Sequence, residues 1–172
     1  MDKKELRKSL ILKRDSLEDI SLKICKQIID SHLLDNAKNI GIYYPLKSEI
    51  SVLPLIDAYK DKCFYFPKTL DEISFYKEND INNFKEAKFH VMEPISNELM
   101  NRDEIDVFIV PCVGITKDRQ RIGYGKGYYD RYLKGYKGIT IGVNYKELSN
   151  IDFKCDSWDL VLDYVIVGWL NV

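Results

Sequence analysis

Three glycines alternate at Gly123, Gly125 and Gly127, with the cations Arg121 and Lys126 in the same short stretch. Glycine lets backbone amides approach a phosphate closely, because no Cβ stands in the way. A helical run, Tyr128-Tyr129-Asp130-Arg131-Tyr132-Leu133, follows at once and stops near Gly135. A helix N-terminus leaves amides unpaired and carries partial positive charge, so it attracts anions. The chemistry suited to this order is capture of phosphate groups, most naturally those of a nucleotide.

The spacing excludes two common cradles. A P-loop requires lysine followed by serine or threonine, and here Lys126 is followed by Gly127. A dinucleotide fingerprint requires G-x-x-G after its first pair, and the third glycine arrives one residue early. The glycines alone fit a plain flexible turn equally well. Charge moves the balance. Residues 117–137 hold seven basic side chains (Lys117, Arg119, Arg121, Lys126, Arg131, Lys134, Lys137) against two acidic ones (Asp118, Asp130), in a chain of net charge −1. Such a focus of one sign favours an anionic ligand.

Bound ATP calls for Mg²⁺, which takes one or two carboxylates together with phosphate oxygens and water. Asp130, three residues past the last glycine, and Asp163, in an apolar run near the end, are acids of the right type. Asp130 fits equally well as a first-turn acid paired with Lys134, and Asp163 as an edge residue.

These residues need a scaffold. Asp106–Pro111 reads as a buried strand leading into the glycine stretch. Asn39–Tyr44 reads as another, ended by Pro45 and followed by the loop Leu46–Glu49. Ligands of open α/β sheets bind beyond the carboxyl ends of strands, which places Tyr44 and Glu49 as candidates. Glu49 also suits an acid ahead of a helix over 51–60, with Ser51 or Ser48 as its N-cap. Residues 62–68, 138–145 and 160–167 read as further strands, and Ile73–Lys77 as an antiparallel one. Residues 78–104 read as loops with short elements. Residues 3–33 read as one broken or two successive helices, punctuated at Asp15-Ser16, with apolar positions at Leu6, Leu10, Ile20, Ile24 and Ile28. The basic groups of the first helix, taken alone, fit a solvated face. Alternating strands and helices predict α/β: a single-domain three-layer sandwich over 1–172, around a largely parallel sheet with N-terminal helices.

At 172 residues the chain suits one domain. Its net charge of −1 argues against wholesale nucleic-acid binding. Four cysteines without a C-x-x-C, and only two histidines, argue against zinc and fit reduced thiols in a cytoplasm. No apolar run reaches membrane-spanning length. The expectation is a cytoplasmic monomer that binds small molecules, with no membrane or nucleic-acid partner.

The stretch Arg121-Ile122-Gly123-Tyr124-Gly125-Lys126-Gly127-Tyr128-Tyr129-Asp130-Arg131-Tyr132-Leu133 resembles the signature of the 5-formyltetrahydrofolate cyclo-ligase (methenyltetrahydrofolate synthetase) family. The resemblance extends to Lys3-Lys4-Glu5-Leu6-Arg7, the strand-loop ending in Glu49, Phe66-Pro67-Lys68, Glu93-Pro94 and an acid in the final strand. It implies ATP-dependent cyclisation of 5-formyltetrahydrofolate to 5,10-methenyltetrahydrofolate. By matching position it implies that residues 3–7, above all Lys3 and Arg7, and residues 121–129 hold ATP. It implies that Tyr44, Glu49, Tyr124, Gly125, Lys126, Gly127 and Tyr128 meet the folate, with Tyr129 beside them. Arg121, Lys126 and Tyr129 would act on the reacting groups, Asp130 and Asp163 would hold Mg²⁺, and Lys68 is a weaker phosphate candidate. Lys8, Lys13 and Arg14 keep the solvated-face reading.

Two rivals stay open. Basic residues interleaved with Tyr124, Tyr128, Tyr129, Tyr132 and Tyr136 could stack and hold single-stranded RNA in a non-catalytic binder. A sugar-phosphate or coenzyme-A enzyme could use a similar sheet.

Overall fold

The computed structural model describes residues 1–168; the last four residues of the predicted 1–172 domain lie outside them. Helix α1 (Lys3–Asp15) starts at Asp2, whose carboxylate accepts from the Glu5 amide while Glu5 accepts in return from the Asp2 amide. This capping box satisfies two otherwise orphaned donors. The helix ends at Ser16, so the predicted break is real. Helix α2 (Ser21–Ser31) closes on His32, which adopts φ 61. Strand β1 (Asn39–Gly41) is shorter than expected. Helix α3 (Pro54–Ala58) replaces the predicted 51–60 helix; proline starts its first turn, and Leu53, not Ser51 or Ser48, is the N-cap.

Strands β2 (Cys63–Thr69) and β3 (Ile73–Lys77) form the expected antiparallel pair. Strands β4 (Phe84–Glu86) and β5 (Met92–Pro94) form a small separate ladder, and β6 (Leu99–Met100) follows. Strand β7 (Val107–Pro111) is buried along its whole length. An unforeseen hairpin comes next: β8 (Gly114–Ile115) against β9 (Arg121–Ile122). Helix α4 (Tyr128–Tyr132), β10 (Ile139–Val143) and β11 (Tyr164–Ile166) complete the chain.

The main sheet runs β11-β10-β7-β1-β2-β3-β6. Its first five strands pair in parallel, and β3 and β6 add antiparallel pairings at one edge. Side chains alternate between faces with period two. Along β7, Val107 and Ile109 join the core under the N-terminal helices, with Leu10, Ile24, Ile28 and Leu55. Phe108 and Val110 point to the other face, where Tyr65, Phe75, Tyr129 and Leu133 pack. Helices cover both faces, which makes the predicted three-layer α/β arrangement. Parallel strands put their carboxyl ends on one side, and Pro111 at the end of β7 opens directly onto the hairpin and the glycine stretch.

Candidate active site

The glycine loop is shaped by two arginines. Arg121 is buried; its Nε donates to the Pro111 carbonyl at 2.7 Å, and its guanidinium lies 4.6 Å from the centre of the Tyr129 ring. It braces the loop from beneath rather than standing free beside it. A Cβ at Gly123 would meet that guanidinium, so a side chain there would have to displace Arg121 from its place under the loop. Gly125 and Gly127 adopt φ 102 and 71, a left-handed region that side chains disfavour. From the far end of the chain, Arg7 Nε donates to the Gly123 carbonyl at 2.8 Å. Arg131 clamps the other flank, with Nη1 on the Lys126 carbonyl at 2.9 Å.

Helix α4 spans a single short turn, capped by Gly127 without a side-chain bond. A helix this short sums few peptide dipoles. The helix dipole invoked from the sequence is therefore weak here, and the positive charge of the site comes from side-chain cations.

The loop, helix α1 and residues 156–159 line an open cavity of about 300 Å³. Lys3, Arg7, Arg121, Lys126 and Arg131 supply positive charge around the glycines and Tyr124. Asp130, Asp156 and Asp159 line the same cavity, and Trp158 stands at its wall, 68% exposed. Asp130 Oδ1 accepts from the Leu160 amide at 2.7 Å, which ties it next to Asp159. Asp159 is buried and pairs with Lys3 Nζ. Five cations against three acids leave the cavity net positive.

Several sequence candidates stand elsewhere. Lys4 is exposed and Glu5 is used in the capping box, while Leu6 packs on the core; none of the three lines the cavity. Ile122 is fully buried. Tyr128 turns its hydroxyl to the Leu70 carbonyl at 3.4 Å, and Tyr129 lies buried under Arg121. Lys68 sits 4.4 Å from the Tyr76 ring centre and bonds Asn97. Asp163 does not line the cavity: its carboxylate accepts from the Thr140 amide at 2.8 Å, at the amino end of β10. Of the acids late in the chain, Asp156 and Asp159 line the cavity instead. Among the described residues no three acidic, histidine or cysteine side chains form a ready metal cage. Magnesium does not need one, because it keeps water and phosphate oxygens as ligands. The hard oxygen donors of Asp130 and Asp159 suit it.

A second group adjoins the loop. Glu49 Oε2 accepts from the Tyr124 hydroxyl at 2.8 Å and its Oε1 from the Leu46 amide at 2.7 Å. Tyr44 packs against Phe84 with ring centres 5.0 Å apart. Desolvation of the hydroxyl, although the ring stays partly exposed, and then the Glu49 charge push Tyr124 well above its ordinary range. Burial likewise pushes the Cys112 thiol up to about 12, against the opposing pull of Arg121. Arg14 corrects another expectation: it is 4% exposed and bonds Ser48 and Tyr124, so it is no part of a solvated face. Its alignment with Leu10 one turn earlier is the sequence signal that it points inward.

The tyrosines weaken the RNA reading. Of the five in 117–137, only Tyr124 is exposed; Tyr129 is buried, and Tyr132 and Tyr136 pack on Phe75 and Phe108. A stacking platform needs open ring faces.

The sequence model of the 5-formyltetrahydrofolate cyclo-ligase family matches residues 1–168. A 5-formyltetrahydrofolate cyclo-ligase of Mycoplasma genitalium is 34% identical, over 96% of this chain and 98% of its own. The solved structure of a 5,10-methenyltetrahydrofolate synthetase from Aquifex aeolicus is similar at TM-score 0.86 and 32% identity, covering 98% of this chain and 90% of that one. A 5,10-methenyltetrahydrofolate synthetase structure from Mycoplasma pneumoniae gives TM-score 0.81 and 31% identity, with 98% and 100% covered.

Proposed function

The chain belongs to the 5-formyltetrahydrofolate cyclo-ligase family, and from that premise we propose how its cavity carries out the ATP-dependent closure of 5-formyltetrahydrofolate to 5,10-methenyltetrahydrofolate. The formyl oxygen attacks the γ-phosphorus of ATP and ADP departs. N10 then attacks the activated formyl carbon and loses its proton. The carbon–oxygen bond breaks, and the oxygen leaves with inorganic phosphate. No step needs a protein nucleophile; positioning and charge neutralisation suffice.

The observation that carries this reading is the convergence of Lys3 and Arg7 of α1 on the loop 123–127, sealed by the Arg7–Gly123 bond. Lys3, Arg7, Lys126 and the loop amides bind the triphosphate. Arg121, held under the loop, offsets charge as it builds on the transferring group. Asp130 and Asp159 would hold Mg²⁺, which supplies further neutralisation of the phosphates when bound; Lys3, now paired with Asp159, would then be released toward a phosphate. Glu49 and Tyr44 face the pterin side, where a carboxylate accepts ring N–H groups, and Tyr124 joins the two sides. Tyr128 and Tyr129 act through the shape of the loop.

In this reading the chain is a cytoplasmic monomer acting on small molecules. Its four free thiols suit a reducing compartment. No helix among the described residues is long and apolar enough to cross a membrane. The test is direct: purified protein, 5-formyltetrahydrofolate and Mg-ATP are mixed and the near-ultraviolet absorbance of the methenyl product is followed. Growth of that band only when ATP is present supports the proposal; its absence with ATP refutes it.

A further inference from the structure

Arg14 is an unusual arginine. It is buried, yet its charge meets the Glu49 carboxylate only through a tyrosine hydroxyl. Its guanidinium has five N–H donors and no acceptor, which fixes every direction in the network. Nη1 donates to the Tyr124 hydroxyl at 3.0 Å, and that hydroxyl in turn donates to Glu49 Oε2 at 2.8 Å. Nε donates to Ser48 Oγ at 2.9 Å, and Ser48 donates to Asp15 Oδ1 at 2.6 Å. Nη2 reaches the Lys47 carbonyl at 3.4 Å.

Two further facts give this network a purpose. Ser48 holds φ 66, a left-handed conformation that a non-glycine residue adopts at a cost and keeps only where its surroundings hold it. Its hydroxyl is clamped between Arg14 and Asp15, and Glu49 is the next residue. Tyr124, for its part, belongs to the glycine loop that wraps the phosphate cavity. Helix α1 therefore meets both sites: Lys3 and Arg7 at one end touch the phosphate cavity, and Arg14 and Asp15 at the other hold the Glu49 loop.

We infer that Arg14 is a positioning residue that locks Glu49 to the glycine loop through Tyr124, so that ordering of either substrate's site sets the other. This deepens the proposed function and rests on it for the identity of the two substrates. The coupling is reciprocal, as any linkage between two binding sites must be. An ordered nucleotide loop presents Tyr124 to Glu49, and a folate held by Glu49 steadies the loop around the nucleotide.

The test compares wild type, Arg14→Gln, Tyr124→Phe and the double variant. Each single change removes a bond in a charge-assisted chain and is expected to raise the KM for 5-formyltetrahydrofolate about tenfold, with kcat much less affected. Because both act on one relay, the double variant should be no worse than the worse single. Arg14→Lys, which keeps charge but loses the fork, should rescue only in part. Amide hydrogen exchange at residues 46–49 should quicken in both single variants without any substrate. A purely structural Arg14 would lower thermal stability and leave KM alone. A Tyr124→Phe enzyme whose folate KM stays within about twofold of wild type, or single penalties that multiply in the double variant, would overturn the inference. If Arg14→Gln fails to fold, Tyr124→Phe, a half-exposed position, decides. If wild-type protein converts no 5-formyltetrahydrofolate, the functional reading fails, and exchange at 46–49 in Tyr124→Phe decides the relay, because Arg14→Gln also loses its own bonds to Ser48 and Lys47: unchanged rates in Tyr124→Phe refute it and faster rates uphold it.

Discussion

Arg7 Nε donates to the carbonyl oxygen of Gly123 at 2.8 Å, across 116 residues of chain. The first helix and the glycine loop are thereby tied together, and Lys3 and Arg7 of α1 line the same cavity as the loop. Neither half lines the cavity alone.

Lys126 is exposed in the loop and its ammonium makes no hydrogen bond among the described residues, so removing it should spare the fold. Lys126→Ala is expected to raise the KM for ATP about tenfold or more, the scale of one charged hydrogen bond, with an unchanged thermal midpoint. Steady-state kinetics at saturating folate, alongside a melting curve, check both halves.

Asp130 and Asp163 should separate cleanly. Asp130→Asn is expected to raise the Mg²⁺ concentration for half-maximal activity at least about tenfold, since even outer-shell partners act on that scale. Asp163→Asn should leave the magnesium curve in place and lower stability by about 1 kcal/mol through its bonds to Thr140. A magnesium titration of the two variants reads this out.

Gly125 holds φ 102 beside the Arg7 guanidinium. Gly125→Ala should cost about 1–3 kcal/mol of backbone strain or reshape the loop, and in either case ATP binding suffers. Denaturant unfolding with nucleotide titration measures the two effects separately.

Buried thiols begin the alkaline loss of stability, and buried tyrosines such as Tyr43 and Tyr129, whose hydroxyls burial also pushes up, extend it. Burial pushes Cys25 and Cys155 up to about 11 and Cys112 up to about 12, from an ordinary 9.0. Well below pH 9.0 the thiols are protonated in both states and the contribution to stability is intact. Above it the unfolded chain ionises first, so stability falls as pH rises until the folded-state values are passed. Thermal midpoints should decline between pH 9 and 11, and the decline should be shallower in Cys112→Ala.

Much of this was readable in the sequence because it is contiguous. The glycines, Arg121, Lys126 and Asp130 lie within ten residues, and β7 announces itself as an apolar run. What escaped notice depends on long-range contact. Arg14 sits among lysines that do face water; its place one turn after Leu10 is a faint signal, and its burial against Ser48 and Tyr124 is what separates it from them. Asp159 lies in a polar segment with no pattern, whereas Asp163 adjoins an apolar strand and so drew attention. The β8–β9 hairpin has strands of two residues, too short for any period to register. Lys4, Glu5 and Leu6 came along with their neighbours in the motif, but α1 turns them to solvent, to its own cap and to the core. A helix presents only every third or fourth residue to a given partner, here Lys3 and Arg7.

The most direct measurement is a crystal structure with Mg²⁺ and a non-hydrolysable ATP analogue. The triphosphate should lie between Lys3 and Arg7 on one side and the amides of residues 123–127 on the other. Nucleotide ordered elsewhere, with that cavity left open, would contradict the account.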